Sequence, residues 1–456
     1  MDIVCIFFCT FVIVMTDNSI IVAPATALGG AIAVIRVSGE GSVECCDQIF
    51  KGRKPLKEAK SHTIHYGTIC DGERVVDDVV VAVFRAPHSY TGEESVEISI
   101  HGSRYIASEV IRLLCEQGAQ MAEAGEFSQR ALAAGRIDLS QAEAVADLIA
   151  AESRAAHAMA ATQMRGGYSG TLDNLREELL NITSLLELEL DFSEEDVEFA
   201  DRERLSSMLE HTDSVVAHLM ESFRVGNAIR DGVAVAIVGR PNVGKSTLLN
   251  RLVGDDRAMV SDIAGTTRDT IEESVVIDDI KFRFVDTAGL HDTDDRLEQM
   301  GIERTERAMR QAQVVLYMTE PSQTTVELPT LGEGQVLLQV VNKMDTTDRH
   351  DREGAIYISA REGEGVDKLR KALRATVDTE GLYRGEVVVS NMRHFEALSR
   401  AHSSLQAALS ALGMGVSEEL LAEDIRSAIN ALAEITGRIT SDDILKNVFS
   451  RFCIGK

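Results

Sequence analysis

One run in the sequence has residue types and an order suited to holding a polyphosphate. Gly239-Arg240-Pro241-Asn242-Val243-Gly244-Lys245-Ser246 follows the apolar run Val233–Val238 and opens a helix-forming stretch at Thr247-Leu248-Leu249. Glycines let backbone amides wrap phosphate oxygens, and a helix N-terminus favours negative charge. Lys245 has the reach for the outer phosphates, and Ser246 has a hydroxyl for magnesium. Four further motifs follow in order. Gly265-Thr266-Thr267-Arg268-Asp269 offers a threonine hydroxyl that can ligate magnesium and sense the terminal phosphate. Asp286-Thr287-Ala288-Gly289 offers a carboxylate for a magnesium-bound water and a glycine amide for the terminal phosphate. In Asn342-Lys343-Met344-Asp345 the aspartate can accept two hydrogen bonds from the imino and amino groups of guanine, which adenine cannot offer in the same way. Ser359-Ala360-Arg361 can present backbone to the guanine oxygen. These motifs sit where strands are expected to end, the side on which such sheets bind ligands. Five of them in this order indicate a guanine nucleotide.

The residue after Gly289 is Leu290. Ras-like proteins have there a glutamine that positions the attacking water, which leucine cannot do. No arginine finger is identified by the sequence either. Hydrolysis is therefore either very slow, or another residue orients the water and another cation offsets the developing charge. Asp292, Asp294, Asp295, Glu298 and Glu303 are the candidate acids in the following segment, and composition does not choose among them.

The elements that must position these groups follow from hydrophobic periodicity. Residues 233–377 alternate strand and helix, the pattern of a doubly wound parallel sheet. Before it, Ala31–Val37, Val79–Phe84 and Val96–Ile100 read as strands, Thr91-Gly92 as a turn and Ile106–Glu116 as a helix, giving a small N-terminal α+β domain. From Gln129 the character is helical. The run 139–164 lacks Gly and Pro, and Leu175, Leu179, Ile182, Leu185 and Leu186 recur at helical spacing. Segments 391–412, 417–435 and 442–452 resume the helical pattern. The expected fold is therefore multidomain: an α+β domain, a helical bundle domain made from both flanks, and an inserted P-loop GTPase domain. The expected boundaries are 1–14 (apolar extension), 15–131, 132–228, 229–381 and 382–456.

Composition sets outer bounds. The 456 residues carry 73 acidic and 46 basic side chains, a net charge of −27, with 45% hydrophobic residues and no Trp. So acidic a surface repels phosphate backbones, so a nucleic-acid partner has to be met by a local basic patch or by a partner subunit. Seven cysteines without a CxxC pair or zinc-type Cys–His spacing point to a reducing compartment. The apolar run Ile3–Met15 is too short to span a bilayer and lacks a basic start and a cleavage site. It reads as sequence upstream of a true start at Met15, or else as a membrane-associating tail; stable membrane insertion is not expected.

The chain resembles the family of tRNA-modification GTPases called MnmE or TrmE. The resemblance rests on Ser89-Tyr90-Thr91-Gly92-Glu93, Gly125-Glu126-Phe127-Ser128, Asp138-Leu139-Ser140-Gln141-Ala142-Glu143-Ala144, the five nucleotide motifs, Gly301-Ile302-Glu303-Arg304 and the terminus Phe452-Cys453-Ile454-Gly455-Lys456. It implies a cytoplasmic homodimer whose N-terminal domain dimerises and binds a formyl-tetrahydrofolate-type folate. It also implies a heterotetramer with the flavin- and NADH-dependent protein MnmG (GidA), together adding a carboxymethylaminomethyl or aminomethyl group to the wobble uridine of certain tRNAs. The implied GTP-binding residues are Asn242, Val243, Gly244, Lys245, Ser246, Thr247, Ser261, Asp262, Ile263, Ala264, Gly265, Thr266, Thr267, Asp286, Thr287, Ala288, Gly289, Asn342, Lys343, Met344, Asp345, Ser359, Ala360 and Arg361. Potassium corresponds to Asn242, Ser261, Ile263 and Thr266, and magnesium to Ser246 and Thr267. The resemblance makes Glu298 the water-orienting acid, places the folate at Arg36, Glu97, Arg136 and Lys456, and suggests a functional thiol at Cys453. The alternative reading is a regulatory GTPase of ribosome assembly, which would share the central domain but not both flanks.

Overall fold

The computed structural model describes residues 19–191, 202–254, 273–285, 298–323, 328–346, 352–414 and 416–450, with Phe452 and Gly455. The chain forms two units, one from Met1–Ala146 and Ala433–Lys456, the other from Asp147–Leu432.

In the first unit, chain order is β1 (Ile21–Pro24), β2 (Ile32–Ser38), α1 (Ser42–Ile49), β3 (Phe50–Gly52), β4 (Thr63–Asp71), β5 (Arg74–Phe84), β6 (Ser95–His101), α2 (Arg104–Glu116), β7 (Gln120–Met121), α3 (Glu126–Ala133) and α4 (Leu139–Ala150), whose last residues enter the second unit. The strands make one seven-stranded sheet in the order β3-β4-β5-β6-β2-β1-β7. It is antiparallel except where β1 meets β7. Alternation decides its faces. Ala33, Ile35 and Val37 of β2, Val79, Val81 and Val83 of β5, and Val96, Ile98 and Ile100 of β6 bury one face in a core with residues of α1 and α2. The residues between them, Arg36 and Glu97 among them, turn to the other face.

In the second unit, α5 (Arg154–Met164), α6 (Gly167–Asp191) and α7 (Arg202–Asp231) precede β8 (Val233–Gly239), α8 (Lys245–Gly254), β9 (Glu273–Ile277), β10 (Ile280–Phe284), α9 (Glu298–Gln311), β11 (Val314–Thr319), β12 (Val336–Val341), β13 (Ile356–Tyr357), α10 (Val366–Arg374), α11 (Glu380–Tyr383), α12 (Met392–Met414) and α13 (Glu418–Thr436). The chain then returns to the first unit as α14 (Asp442–Phe449), where Leu445, Val448, Phe449 and Phe452 bury against Leu139 and Ala142.

The six-stranded sheet of the second unit has the order β13-β12-β11-β8-β10-β9. It is parallel from β13 to β10, but its edge strand β9 runs antiparallel to β10. The alternation of strand and helix reads as a doubly wound parallel sheet, and the sheet carries in addition one antiparallel edge strand. Asp278 and Asp279 close this two-residue hairpin in left-handed conformations, φ 42° and 71°, which acidic side chains tolerate better than branched ones. The helical run 139–164 is also two helices. Ser153 caps the second by accepting a hydrogen bond from the Ala156 N–H at 3.2 Å, and such a cap favours a helix start over helix continuation. Helices α7 and α12 pack along Leu209, Val216 and Leu219 and along Leu398, Ala401 and Leu405. Phe223 stacks on Phe395 at 4.6 Å. Asp213 accepts hydrogen bonds from His402 Nδ1 at 2.6 Å and Gln406 Nε2 at 2.5 Å.

Candidate nucleotide-binding site

The site is built at the carboxyl ends of β8, β11 and β12. Strand β8 is fixed between β10 and β11, and its first four residues are buried. Its last residue lies beside Met318 of β11. A Cβ at Gly239 would lie 2.4 Å from the Met318 carbonyl oxygen, so only glycine fits this crossing. At Gly244 φ is +101°, and a Cβ there would lie 2.2 Å from Asn342 Nδ2. Between the two glycines, Asn242 is exposed with φ 61°, and Val243 is buried. Helix α8 then starts at Lys245 and drives Leu248, Leu249, Leu252 and Val253 into the sheet's core. That burial anchors the helix whose N-terminal amides face the loop.

Lys245 Nζ donates to the Gly239 carbonyl at 2.9 Å and the Arg240 carbonyl at 3.1 Å. Burial pulls its pKa below the usual lysine value. A polyphosphate offers the same ammonium charge-assisted acceptors and would offset that desolvation. Ser246 lies next along the helix start, partly buried, and Thr247 is exposed.

The base side is arranged by side chains that reach across the sheet. Asn342 follows β12 and is 3% exposed. Its Nδ2 donates to the Val243 carbonyl at 2.8 Å, and its Oδ1 accepts from the Ala360 N–H at 2.9 Å. One buried amide therefore joins the phosphate loop, the Asn342–Asp345 motif and the Ser359–Arg361 motif. Lys343 takes φ 68°, and its ammonium pairs with Glu320 at the end of β11. Ser359, fully buried, donates its hydroxyl to Asp345 Oδ1 at 2.8 Å and accepts from the Glu362 N–H at 3.2 Å. This fixes one oxygen of the Asp345 carboxylate and leaves the other for a ligand. Arg251 of α8 donates from Nη2 to the Arg361 carbonyl at 2.5 Å, tying the helix after the phosphate loop to the base loop. Neither the Arg251 tie nor the Lys343–Glu320 pair was expected from the sequence, because no local pattern announces a contact made across the sheet. Met344 begins a short 3-10 turn, and Arg361 is exposed.

Ser261, Asp262, Ile263, Ala264, Gly265, Thr266, Thr267, Asp286, Thr287, Ala288 and Gly289 lie outside the described residues. Glu298 opens α9, and its side chain lies outside the described set. Of the cations' expected ligands, Asn242 and Ser246 are the described members.

A second candidate site lies in the first unit. Arg36 and Glu97 are direct cross-strand neighbours of β2 and β6, and they pair through Arg36 Nη2 and Glu97 Oε1 at 2.9 Å. The guanidinium lies 5.3 Å from the centre of the Tyr90 ring and 5.7 Å from that of Phe127. Arg36, Glu97 and Arg136 line one cleft of about 410 Å³ together with Tyr90, His62 and His88. The two histidines were not singled out from the sequence; His62 sits just ahead of β4, and only the β4–β5 register brings it beside Phe84 at 5.6 Å. Tyr90 Oη and Ser128 Oγ are 2.8 Å apart, so the segments 89–93 and 125–128 are joined in one wall. Lys456 and Cys453 lie outside the described residues.

A family model for the MnmE helical domain matches residues 139–453, and one for the N-terminus of the GTP-binding protein TrmE matches residues 20–136. The chain is 46% identical over 464 residues to the tRNA modification GTPase MnmE of Bacteroides thetaiotaomicron, a match covering 96% of this chain and 100% of that protein. It is 46% identical over 474 residues to the protein of the same name from Christiangramia forsetii, covering 97% of this chain and 100% of that one. Among solved structures, Aquifex aeolicus Era bound to GDP and AlF4− is 24% identical over 37% of this chain and 65% of that chain, with a TM-score of 0.23. The FeoB G-domain of Methanococcus jannaschii is 22% identical over 31% of this chain and 95% of that chain, with a TM-score of 0.22.

Proposed function

Because the chain belongs to the MnmE family and is a tRNA-modification GTPase, we propose that potassium activates its GTP hydrolysis and that it works with the flavin-dependent protein MnmG. The pair would add a carboxymethylaminomethyl or aminomethyl group to the wobble uridine of certain tRNAs in the cytoplasm. The observation that carries this reading, and sets aside a ribosome-assembly switch, is that both flanks of the nucleotide domain match as well as the domain itself. Among the described residues no helix is long and apolar enough to cross a membrane. The working form in this reading is a homodimer, in which MnmG supplies much of the tRNA grip that a net charge of −27 disfavours. The proposed domains are those of the sequence reading, 15–131, 132–228, 229–381 and 382–456, after an apolar extension at 1–14.

In this mechanism Lys245 and the amides at the start of α8 hold the phosphates, while Asp345, oriented by Ser359, reads guanine. Thr247, Asp262, Ala264, Gly265, Thr287, Ala288 and Gly289 complete the nucleotide contacts. Ser246 and Thr267 would hold magnesium, and Asn242, Ser261, Ile263 and Thr266 would hold potassium; the two cations would supply fixed positive charge for phosphoryl transfer. Asp286 would hold a magnesium-bound water, and Glu298 would orient the attacking water in place of the glutamine that Leu290 replaces. The expected result is much faster GTP turnover in potassium than in sodium at equal ionic strength. Glu298→Ala should retain GTP binding and lose that turnover. Equal rates in the two salts would remove the potassium site, and an unchanged rate for Glu298→Ala would remove the role of Glu298.

The cleft in the first unit suits a folate by its donor set. Arginines match the carboxylates of a glutamate tail, a carboxylate matches pterin donors, and the aromatic rings offer flat surfaces. We assign Arg36, Glu97, Arg136 and Lys456 to a formyl-tetrahydrofolate, with Cys453 as a thiol near it. Arg36→Ala should weaken folate binding by about tenfold or more in calorimetry, the loss of one charge-assisted pair, while GTP affinity holds. Unaltered folate affinity would remove Arg36 from the site.

A further inference from the structure

The hairpin β9–β10 has an unusual position in the chain. Its open end, where Glu273 pairs with Phe284, follows the segment with Thr266 and Thr267 and precedes the segment with Asp286. Both nucleotide-sensing motifs therefore attach to the same end of one short antiparallel ribbon. Strand β10 also pairs with β8, whose far end is the phosphate loop. The opposite, closed end of the ribbon is held by the helical segment that starts the second unit. The Ala155 N–H donates to the Asp279 carbonyl at 3.1 Å. Lys281 Nζ pairs with Glu152 at 2.7 Å, and Arg154 pairs with Asp279 at 3.5 Å.

The grip is more than a surface ion pair. Ala155 is fully buried, and with Ala156 and Met159 it belongs to the same continuous core as Ile277, Ile280 and Phe282. Continuous packing of this kind moves as a body, because a close-packed core has little room to deform locally. The two ion pairs, solvent-accessible on at least one side, alone contribute little.

We propose that the β9–β10 turn is the contact through which the nucleotide state of the P-loop domain reaches the helical segment 152–164. This rests on the GTPase reading above and adds the surface that transmits its output. Glu152, Ala155 and Lys281 are positioning residues in this scheme, since none of them belongs to the nucleotide site.

The test is hydrogen exchange by mass spectrometry on the full chain, with GDP and with a non-hydrolysable GTP analogue. In the wild type, peptides of α5 exchange differently in the two states. Ala155→Leu wedges the contact and abolishes the α5 difference, while the phosphate-loop peptide remains protected by nucleotide. Lys281→Glu reduces the α5 difference about twofold or more, the scale of an exposed pair, and the double variant with Glu152→Lys restores it. An α5 difference that survives Ala155→Leu, a wild-type α5 indifferent to nucleotide, or a double variant that is not restored overturns the proposal. Loss of nucleotide protection at the phosphate loop in the wild type would instead reject the nucleotide reading itself, and so distinguishes the two failures.

Discussion

Asp345→Asn should turn a guanine-binding site into one that prefers xanthine. The Ser359 hydroxyl donates to Asp345 Oδ1 at 2.8 Å, and the asparagine oxygen can keep that bond. The amide nitrogen then occupies the place of the free carboxylate oxygen. There it meets the N–H groups of guanine, donor against donor, where a carboxylate accepts both. Losing two hydrogen bonds to a charged acceptor costs about 3 kcal/mol or more, at least about a hundredfold in GTP affinity. Xanthine carries a carbonyl where guanine carries its amino group, so the amide finds an acceptor again. Competition of GTP and xanthosine triphosphate for a fluorescent nucleotide on the variant measures the switch. Equal weakening of both would mean that Asp345 holds the loop together and does not read the base. Retained GTP affinity would place the base elsewhere.

Asn342→Ala should damage the site by removing the brace between the phosphate loop and the base loop. The side chain is 3% exposed and serves the Val243 carbonyl and the Ala360 N–H at once. Its removal leaves a buried donor and a buried acceptor unpaired, each costing about 1–3 kcal/mol. Local stability read from exchange of the β12 amides should fall by about 2–4 kcal/mol. Nucleotide affinity should fall as well, because the phosphate loop and the base loop lose their common brace. Asn342→Asp is the sharper control. It keeps the acceptor for Ala360 but sets a carboxylate against the Val243 carbonyl, and it should be no better tolerated than alanine. A stability change below about 0.5 kcal/mol, the usual range for surface substitutions, would show that the brace is redundant.

The class of nucleotide, the order of its motifs and the strand–loop–helix setting of Gly239–Ser246 were legible in the sequence. Such signals are local: a phosphate loop needs its glycines, lysine and hydroxyl within one turn of chain, and burial writes itself as a period of two or of helical spacing. Strands β2 and β6 and helices α12 and α13 fall where that periodicity places them. The family was legible too, because motif segments from both flanks and the terminus accompany the nucleotide motifs.

Other features depended on register and closure, which no window of sequence contains. The antiparallel edge at β9 depends on a hairpin turn made by Asp278 and Asp279, residues without the Gly that usually marks such turns. The break before Ser153 is invisible to a pattern that lacks Gly and Pro. Arg36 and Glu97 are 61 positions apart, and only the pairing of β2 with β6 sets them opposite each other. Asn342 reads in sequence as part of a base-recognition motif, and only the fold shows that its side chain also holds Val243 and Ala360. Gly239 reads as a phosphate glycine, yet the carbonyl of Met318 on a neighbouring strand is what excludes a side chain there. The sequence by itself determined which chemistry the chain can perform, because reactive groups are encoded by residue type at short spacing. The tertiary structure decided which groups hold them in place, because a buried polar atom must find its partner wherever the fold brings one within about 3 Å.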